Sequence, residues 1–164
     1  MHRIRRYRES DWPAVWEMLR AANAGGDVFA FPPDATEADL HQAWIDAPAA
    51  AYVACDAAER VLGSYFLKPN QPGLGAHVCN AGYVVSLDAR GQGIASQMCG
   101  HSQAEAMAMG FRAMQFNFVV STNEAAIHLW EKHGFKVVGR LPGAFHHQSL
   151  GYVDALVMFK QLAG

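Results

Sequence analysis

Residues 81–98, "AGYVVSLDARGQGIASQM", run from an apolar stretch through a basic glycine turn into a Gln/Ala/Met-rich segment. The first part reads as the end of a strand, "AHVCNAGYVVSLD", and residues 91–109 read as a helix stopped by Gly110. A further strand, "AMQFNFVV", follows. A strand, a helix and a second strand return to one sheet as a parallel, right-handed crossover. The centre of the molecule is therefore expected to hold parallel strands.

The flanking segments add antiparallel ones. "RIRRYR" reads as a first strand. "SDWPAVWEMLRAAN" reads as a helix with a Ser10 or Asp11 cap, Pro13 in its first turn, and Val15, Met18 and Leu19 at helical spacing. A Gly/Pro-rich loop, "AGGDVFAFPPD", leads to a second helix, "ATEADLHQAWIDA", stopped before Pro48. "AAYVACDAAERVLGSYFLKP" reads as a hairpin turning at residues 56–60. "NEAAIHLWEKH" is a helix closed by Gly134, and "KVVGRL" and "YVDALVMFK" are the last two strands. The order β-α-α-β-β-β-α-β-α-β-β predicts an α/β fold with a mixed sheet and helices on both faces. No linker or repeat interrupts residues 1–164, so a single domain is expected.

Bulk properties exclude some functions. A net charge of -2 gives general nucleic-acid binding no electrostatic support. No apolar run approaches the roughly 18 residues of a membrane span. Cys55, Cys79 and Cys99 are odd in number and widely spaced, which fits a reducing, cytoplasmic setting. Eight histidines are present, yet no spacing typical of a metal site appears, so no metal is expected. The arginines of "MHRIRRYRES" read as the solvated side of the first strand rather than as a transit peptide.

The glycine turn has the makings of an anion cradle. The first N–H groups of a helix lack internal partners, and the helix dipole is positive there. Gly91 and Gly93 allow close backbone approach and Arg90 adds charge, which suits a pyrophosphate. A plain strand-to-helix turn would use the same glycines for geometry alone. Two familiar phosphate loops do not fit. The P-loop needs a Lys directly after its last glycine, and the dinucleotide fingerprint needs a third glycine where Ser96 stands.

The run Arg90-Gly91-Gln92-Gly93-Ile94-Ala95 instead resembles the Q/R-x-x-G-x-G/A signature of the GNAT acetyltransferase superfamily. Residues 123–135, "NEAAIHLWEKHGF", resemble that family's N-x-x-A-x-x-L-Y-x-x-x-G-F motif, in the right order and on the expected elements. The resemblance implies an acyl-CoA N-acyltransferase fold, a mostly antiparallel sheet whose central parallel strands splay apart. It implies acetyl-CoA as cosubstrate. The pyrophosphate would lie on Arg90, Gly91, Gln92, Gly93, Ile94 and Ala95, and the pantetheine arm along Val84 and Val85. "HVCNAGYVV", "FNFVVSTN" and "LWEKHGF" are further similar to a subgroup containing fungal acetyltransferases that act on proline analogues such as azetidine-2-carboxylate. That likeness implies substrate or cofactor contacts at Asn80, Asn117 and Asn123.

The residues can be weighed on their own terms. Asn117 alternates with Phe116 and Phe118 on what should be a central, apolar strand, and an unpartnered buried amide costs about 1–3 kcal/mol. It either ties down local backbone or contacts substrate. Asn80 shares a face with Gly82, which is expected to leave open space for a ligand or to mark a bulge. Asn123 is a preferred N-cap as well as a cofactor candidate. Trp130 stands where many family members have a tyrosine that protonates the leaving thiolate. Indole lacks useful acidity, so Trp130 is expected to pack against the cofactor or the core. Asp154 is either an arginine's partner or part of the substrate site.

The expected chemistry is direct attack of a small-molecule amine on the thioester, without a covalent intermediate, so Cys79 is expected to be a small buried hydrophobe. The oxyanion is assigned to a backbone N–H of the long strand, at Val84. No glutamate lies on that strand to act as base, and His77, His146 and His147 are candidates by chemistry alone. An asparagine-lined pocket favours an amino acid or cyclic analogue. The rivals are an acetyltransferase for proteins or aminoglycosides and a non-catalytic acyl-CoA sensor. No nucleic acid or membrane partner is expected, and a homodimer is admitted.

Overall fold

The computed structural model describes residues 2–163. Seven strands form one sheet in the order β1-β2-β3-β4-β5-β7-β6. They are β1 (Arg3–Arg6), β2 (Ala50–Cys55), β3 (Val61–Pro69), β4 (Val78–Val85), β5 (Ala113–Val120), β6 (Lys136–His147) and β7 (Gly151–Gln161). Only β4 and β5 run parallel; every other pair is antiparallel. Helices α1 (Trp12–Ala24) and α2 (Glu37–His41) cover one face, and α3 (Ile94–Ala108) and α4 (Glu124–Lys132) the other. The expected order of elements and the mixed sheet are both present.

Each face has its own apolar layer, as the strand period of two requires. Tyr52, Tyr65 and Tyr83 are directly opposite one another across β2, β3 and β4, and they pack beneath α3. On the other side Val53, Phe66 and Val84 meet Val15, Leu19, Leu40 and Trp44. With both faces covered, β2 is buried along its whole length, which explains its Ala/Val/Tyr composition. No helix among the described residues is long and apolar enough to cross a membrane.

Two elements depart from expectation. The second helix is not one uniform segment. After α2 the chain widens into a π turn over Gln42–Asp46, where Ala47 N–H donates to the Gln42 carbonyl at 2.8 Å. The widened turn sets Trp44 between Phe29 and Phe66, and its indole N–H donates to Ser64 Oγ at 3.0 Å. The second departure is β6, which continues past Leu141 to His147. Pro142 is tolerated because β6 is an edge strand, and the register slips between Leu141 and Phe145. Asp154 holds that irregularity, accepting from Gly143 N–H at 2.9 Å and Arg140 Nη1 at 2.7 Å. These two bonds lower its pKa, the backbone donor contributing most. Asp154 is thus an arginine's partner and does not line the cavity described next.

Candidate active site

The site begins where β4 and β5 part. They are paired only at Val78↔Ala113 and Cys79↔Met114. Beyond that point the Asn80 side chain takes over, its Nδ2 donating to the Gln115 carbonyl at 3.0 Å. The strands then diverge around a cavity of about 920 Å³. All the residues assigned from the sequence to substrate or cofactor line it except Gln92.

At one end of the cavity lies the glycine turn. Gly91 and Gly93 have φ of 80° and 77°, and a Cβ on either would meet nothing within 4 Å. These glycines are needed for left-handed backbone, and the space beside them is free for a ligand. Gly93 is the N-cap of α3, and no side chain caps the helix there. Arg90 and Lys132 add two cations to this end, and Ser96 Oγ is 2.8 Å from His133 Nε2. Burial lowers the His133 pKa, and Lys160 and Lys132 lower it further, so the imidazole is neutral near pH 7. Asn123 caps α4, accepting from Ala126 N–H at 3.3 Å, and also lines the cavity. A diphosphate therefore fits the donor set: free helix N–H groups, two cations and no carboxylate.

The middle of the cavity is the gap itself, and here one assignment must be corrected. Ser86 N–H donates to Leu62 and Val78 C=O accepts from Asn70, so the even-numbered residues of β4 point their backbone groups at β3. The register is regular through Ser64↔Val84. Backbone direction alternates along a strand, so Val84 N–H is turned toward β3 and is not free for an oxyanion. The N–H groups of Tyr83 and Val85 face the gap. Trp130 lines the wall, its ring 4.9 Å from that of Tyr83 and 4.8 Å from that of Phe116. Burial pushes the Cys79 thiol up to about 12 and Cys99 up to about 11, so neither is a thiolate nucleophile.

The far end is aromatic. Phe29 and Phe31 come from the loop after α1, Trp44 from the π turn and Phe66 from β3. The space expected beside Gly82 is not open. A Cβ there would stand 2.4 Å from the Phe66 ring, so the missing side chain is what admits that ring. There is also no bulge at Asn80, which pairs with Lys68 in regular register. Asn117 is exposed rather than buried, because β5 slips against β7 between Phe116 and Val119 and alternation breaks. Its Oδ1 accepts from Gln115 Nε2 at 2.9 Å, and its Nδ2 donates to Asn70 Oδ1 at 2.6 Å.

No Asp or Glu lines the cavity, and no cluster of metal-binding side chains exists among the described residues. His77, His146 and His147 do not line it either. His147 instead accepts from the N–H groups of Ser149 and Leu150, bracing the turn between β6 and β7. His128 of α4, which carried no signal in the sequence, does line the cavity.

A sheet that forks at its one parallel pair, with an uncapped glycine-led helix at the fork, is the architecture of the acyl-CoA N-acyltransferase fold. Comparison with known proteins agrees. Residues 3–135 match the Acetyltransferase (GNAT) family model, and this chain belongs to that family. It is 38% identical over 117 residues to N-acetyltransferase aca1 of Schizosaccharomyces pombe, covering 68% of this chain and 54% of the yeast protein. The chain thus spans about half the length of that relative. It superimposes on a GCN5-related N-acetyltransferase from Kribbella flavida with a TM-score of 0.93 and 39% identity, covering 98% of this chain and 97% of the other. A phosphinothricin acetyltransferase from Sinorhizobium meliloti, solved with acetyl-CoA, shares the fold at a TM-score of 0.88 and 19% identity, covering 99% of this chain and 89% of the other.

Proposed function

We propose that this chain transfers the acetyl group of acetyl-CoA to the amine of a small molecule, an amino acid or proline-like analogue, by direct attack in a ternary complex. One observation carries the reading. A single cavity joins uncapped N–H groups at the start of α3 to an aromatic end beside Asn80. The pyrophosphate of acetyl-CoA is held by the turn from Arg90 to Ala95, and the pantetheine arm follows Val85 along the gap. The coenzyme supplies an activated acetyl thioester. The amine enters past Phe66 and Asn80 and attacks the carbonyl. Tyr83 N–H, facing the gap, donates to the oxyanion that develops.

Positioning is the main catalytic device, because the cavity offers neither a carboxylate base nor a reactive thiol. The amine proton leaves to solvent, and the thiolate departs with little help, its conjugate acid having a pKa near 8.5. The aromatic, carboxylate-free acceptor end disfavours polycationic aminoglycosides, which need anionic partners. The test is thiol release from acetyl-CoA with proline, azetidine-2-carboxylate, free amino acids, a lysine peptide and an aminoglycoside. Turnover confined to the peptide or the aminoglycoside overturns the reading, and binding without any transfer favours a sensor.

A further inference from the structure

One cation stands at the rim of the acceptor end. Lys68, on β3, is directly opposite Asn80 on β4. Directly paired residues project to the same face with Cβ atoms about 5 Å apart. That face carries Phe66, Gly82 and Trp44, the aromatic end of the cavity. Lys68 Nζ lies 5.6 Å from the centroid of the Phe66 ring, at the rim rather than in the lining. The side chain is half-buried, and among the described residues its ammonium has no ion-pair or hydrogen-bond partner. Arg3 and Arg5 of β1, two strands away, are different: Arg3 is ion-paired with Glu59, and Arg5 with Asp11 and Glu59.

Resting on the proposed amino-acid acceptor, we infer that Lys68 recognises the substrate's carboxylate and so selects α-amino acids over simple amines. An ammonium with no protein counter-ion beside an apolar wall gains most from an anionic ligand. The cavity contains no Asp or Glu to compete for it. The ring of a proline-like substrate packs on Phe66, its carboxylate reaches Lys68 beside the Asn80 amide, and its nitrogen turns toward the gap. The same charge repels diamines and aminoglycosides.

The experiment compares wild type, Lys68→Met and Lys68→Arg with azetidine-2-carboxylate and proline against azetidine and pyrrolidine, which lack the carboxylate. Lys68→Met raises KM for the acids by roughly 10- to 100-fold, the worth of a charge-assisted hydrogen bond. It leaves KM for the plain amines and for acetyl-CoA unchanged, and Lys68→Arg recovers most of the loss. Unchanged KM for acids that the wild type does acetylate overturns the role of Lys68 while leaving the substrate reading intact. A wild type that acetylates only the plain amines, or nothing in the panel, overturns the substrate reading and the inference with it. A uniform rise in all KM values, acetyl-CoA included, shows a structural role and also overturns the inference.

Discussion

The Asn80 side chain donates to the Gln115 carbonyl at 3.0 Å, one residue beyond the last paired position of β4 and β5 at Cys79↔Met114. A side-chain amide here continues the ladder after the backbones have separated. It fixes where the fork opens, and therefore how far the two walls of the site stand apart. Asn80→Ala should leave that carbonyl unpartnered and let the walls drift. The expected result is a fall in kcat of about 10²-fold, the order associated with a misplacement near 1 Å. Acetyl-CoA affinity, set at the other end of the cavity, should hold. Steady-state kinetics with calorimetric titration of the coenzyme separates the two, and an unaffected kcat removes Asn80 from the site.

Gly82→Ala tests the aromatic end. The new methyl would press into the Phe66 ring, which stands 2.4 Å from the ideal Cβ position. The ring must rotate away, at about 1–3 kcal/mol of stability. KM for the amine should rise more than KM for acetyl-CoA, because Phe66 walls only the acceptor end. Thermal melts and kinetics on the same preparation provide the check.

At the glycine turn the expected effect is conformational rather than steric. Gly93 has φ of 77° with no atom within 4 Å of a would-be Cβ. Gly93→Ala should cost about 1–2 kcal/mol in the left-handed region, shared between stability and coenzyme binding. Gly93→Asn should be milder, since asparagine visits that region more readily. Equal losses in the two variants would point to crowding of the ligand instead.

Acid stability should depend on Asp11. Burial on its own would raise this carboxyl's pKa, but the paired bonds from Arg5, both at 2.9 Å, and the Arg8 N–H at 2.8 Å outweigh it, and the pKa is lowered. A depressed carboxyl contributes stability that is fully present above its unfolded pKa of about 3.9 and is lost as pH falls through the folded value. Asp11→Asn leaves the half-buried Arg5 with only the more distant Glu59 and should cost about 1–3 kcal/mol at pH 7. The gap between variant and wild type should narrow below pH 4, as urea melts at pH 7 and pH 3 would reveal.

The pH–rate profile follows from the lining. With no Asp or Glu in the cavity, only the neutral amine is available to attack. For an alkyl amine kcat/KM should climb with unit slope toward the substrate's own pKa, about 10.4. A plateau below the amine's own pKa that disappears in His128→Ala would instead identify His128 as a base.

Much of the fold was legible because it is written in short windows. The periodicity of Val15, Met18 and Leu19, the stop at Gly110 and the cap at Asn123 depend on neighbours along the chain. The extension of β6 was not legible. The expected strand stopped at Leu141, and only an edge position with Asp154 beneath Gly143 lets it continue through Pro142. The π turn was equally hidden, since its apolar pattern suits an ordinary helix and the widening serves Trp44's place between Phe29 and Phe66.

What the amino-acid sequence determined by itself was the order of elements, the glycine turn and the family, because backbone preference and motif spacing are local properties. Tertiary structure alone decided that Val84 N–H belongs to β3, that Phe66 occupies the space Gly82 leaves, that Asn117 is exposed and that Lys68 stands beside Asn80. Each of these follows from strand register and from the divergence of β4 and β5. Register and divergence are set by packing summed over both faces of the sheet, a quantity that no single stretch of chain contains.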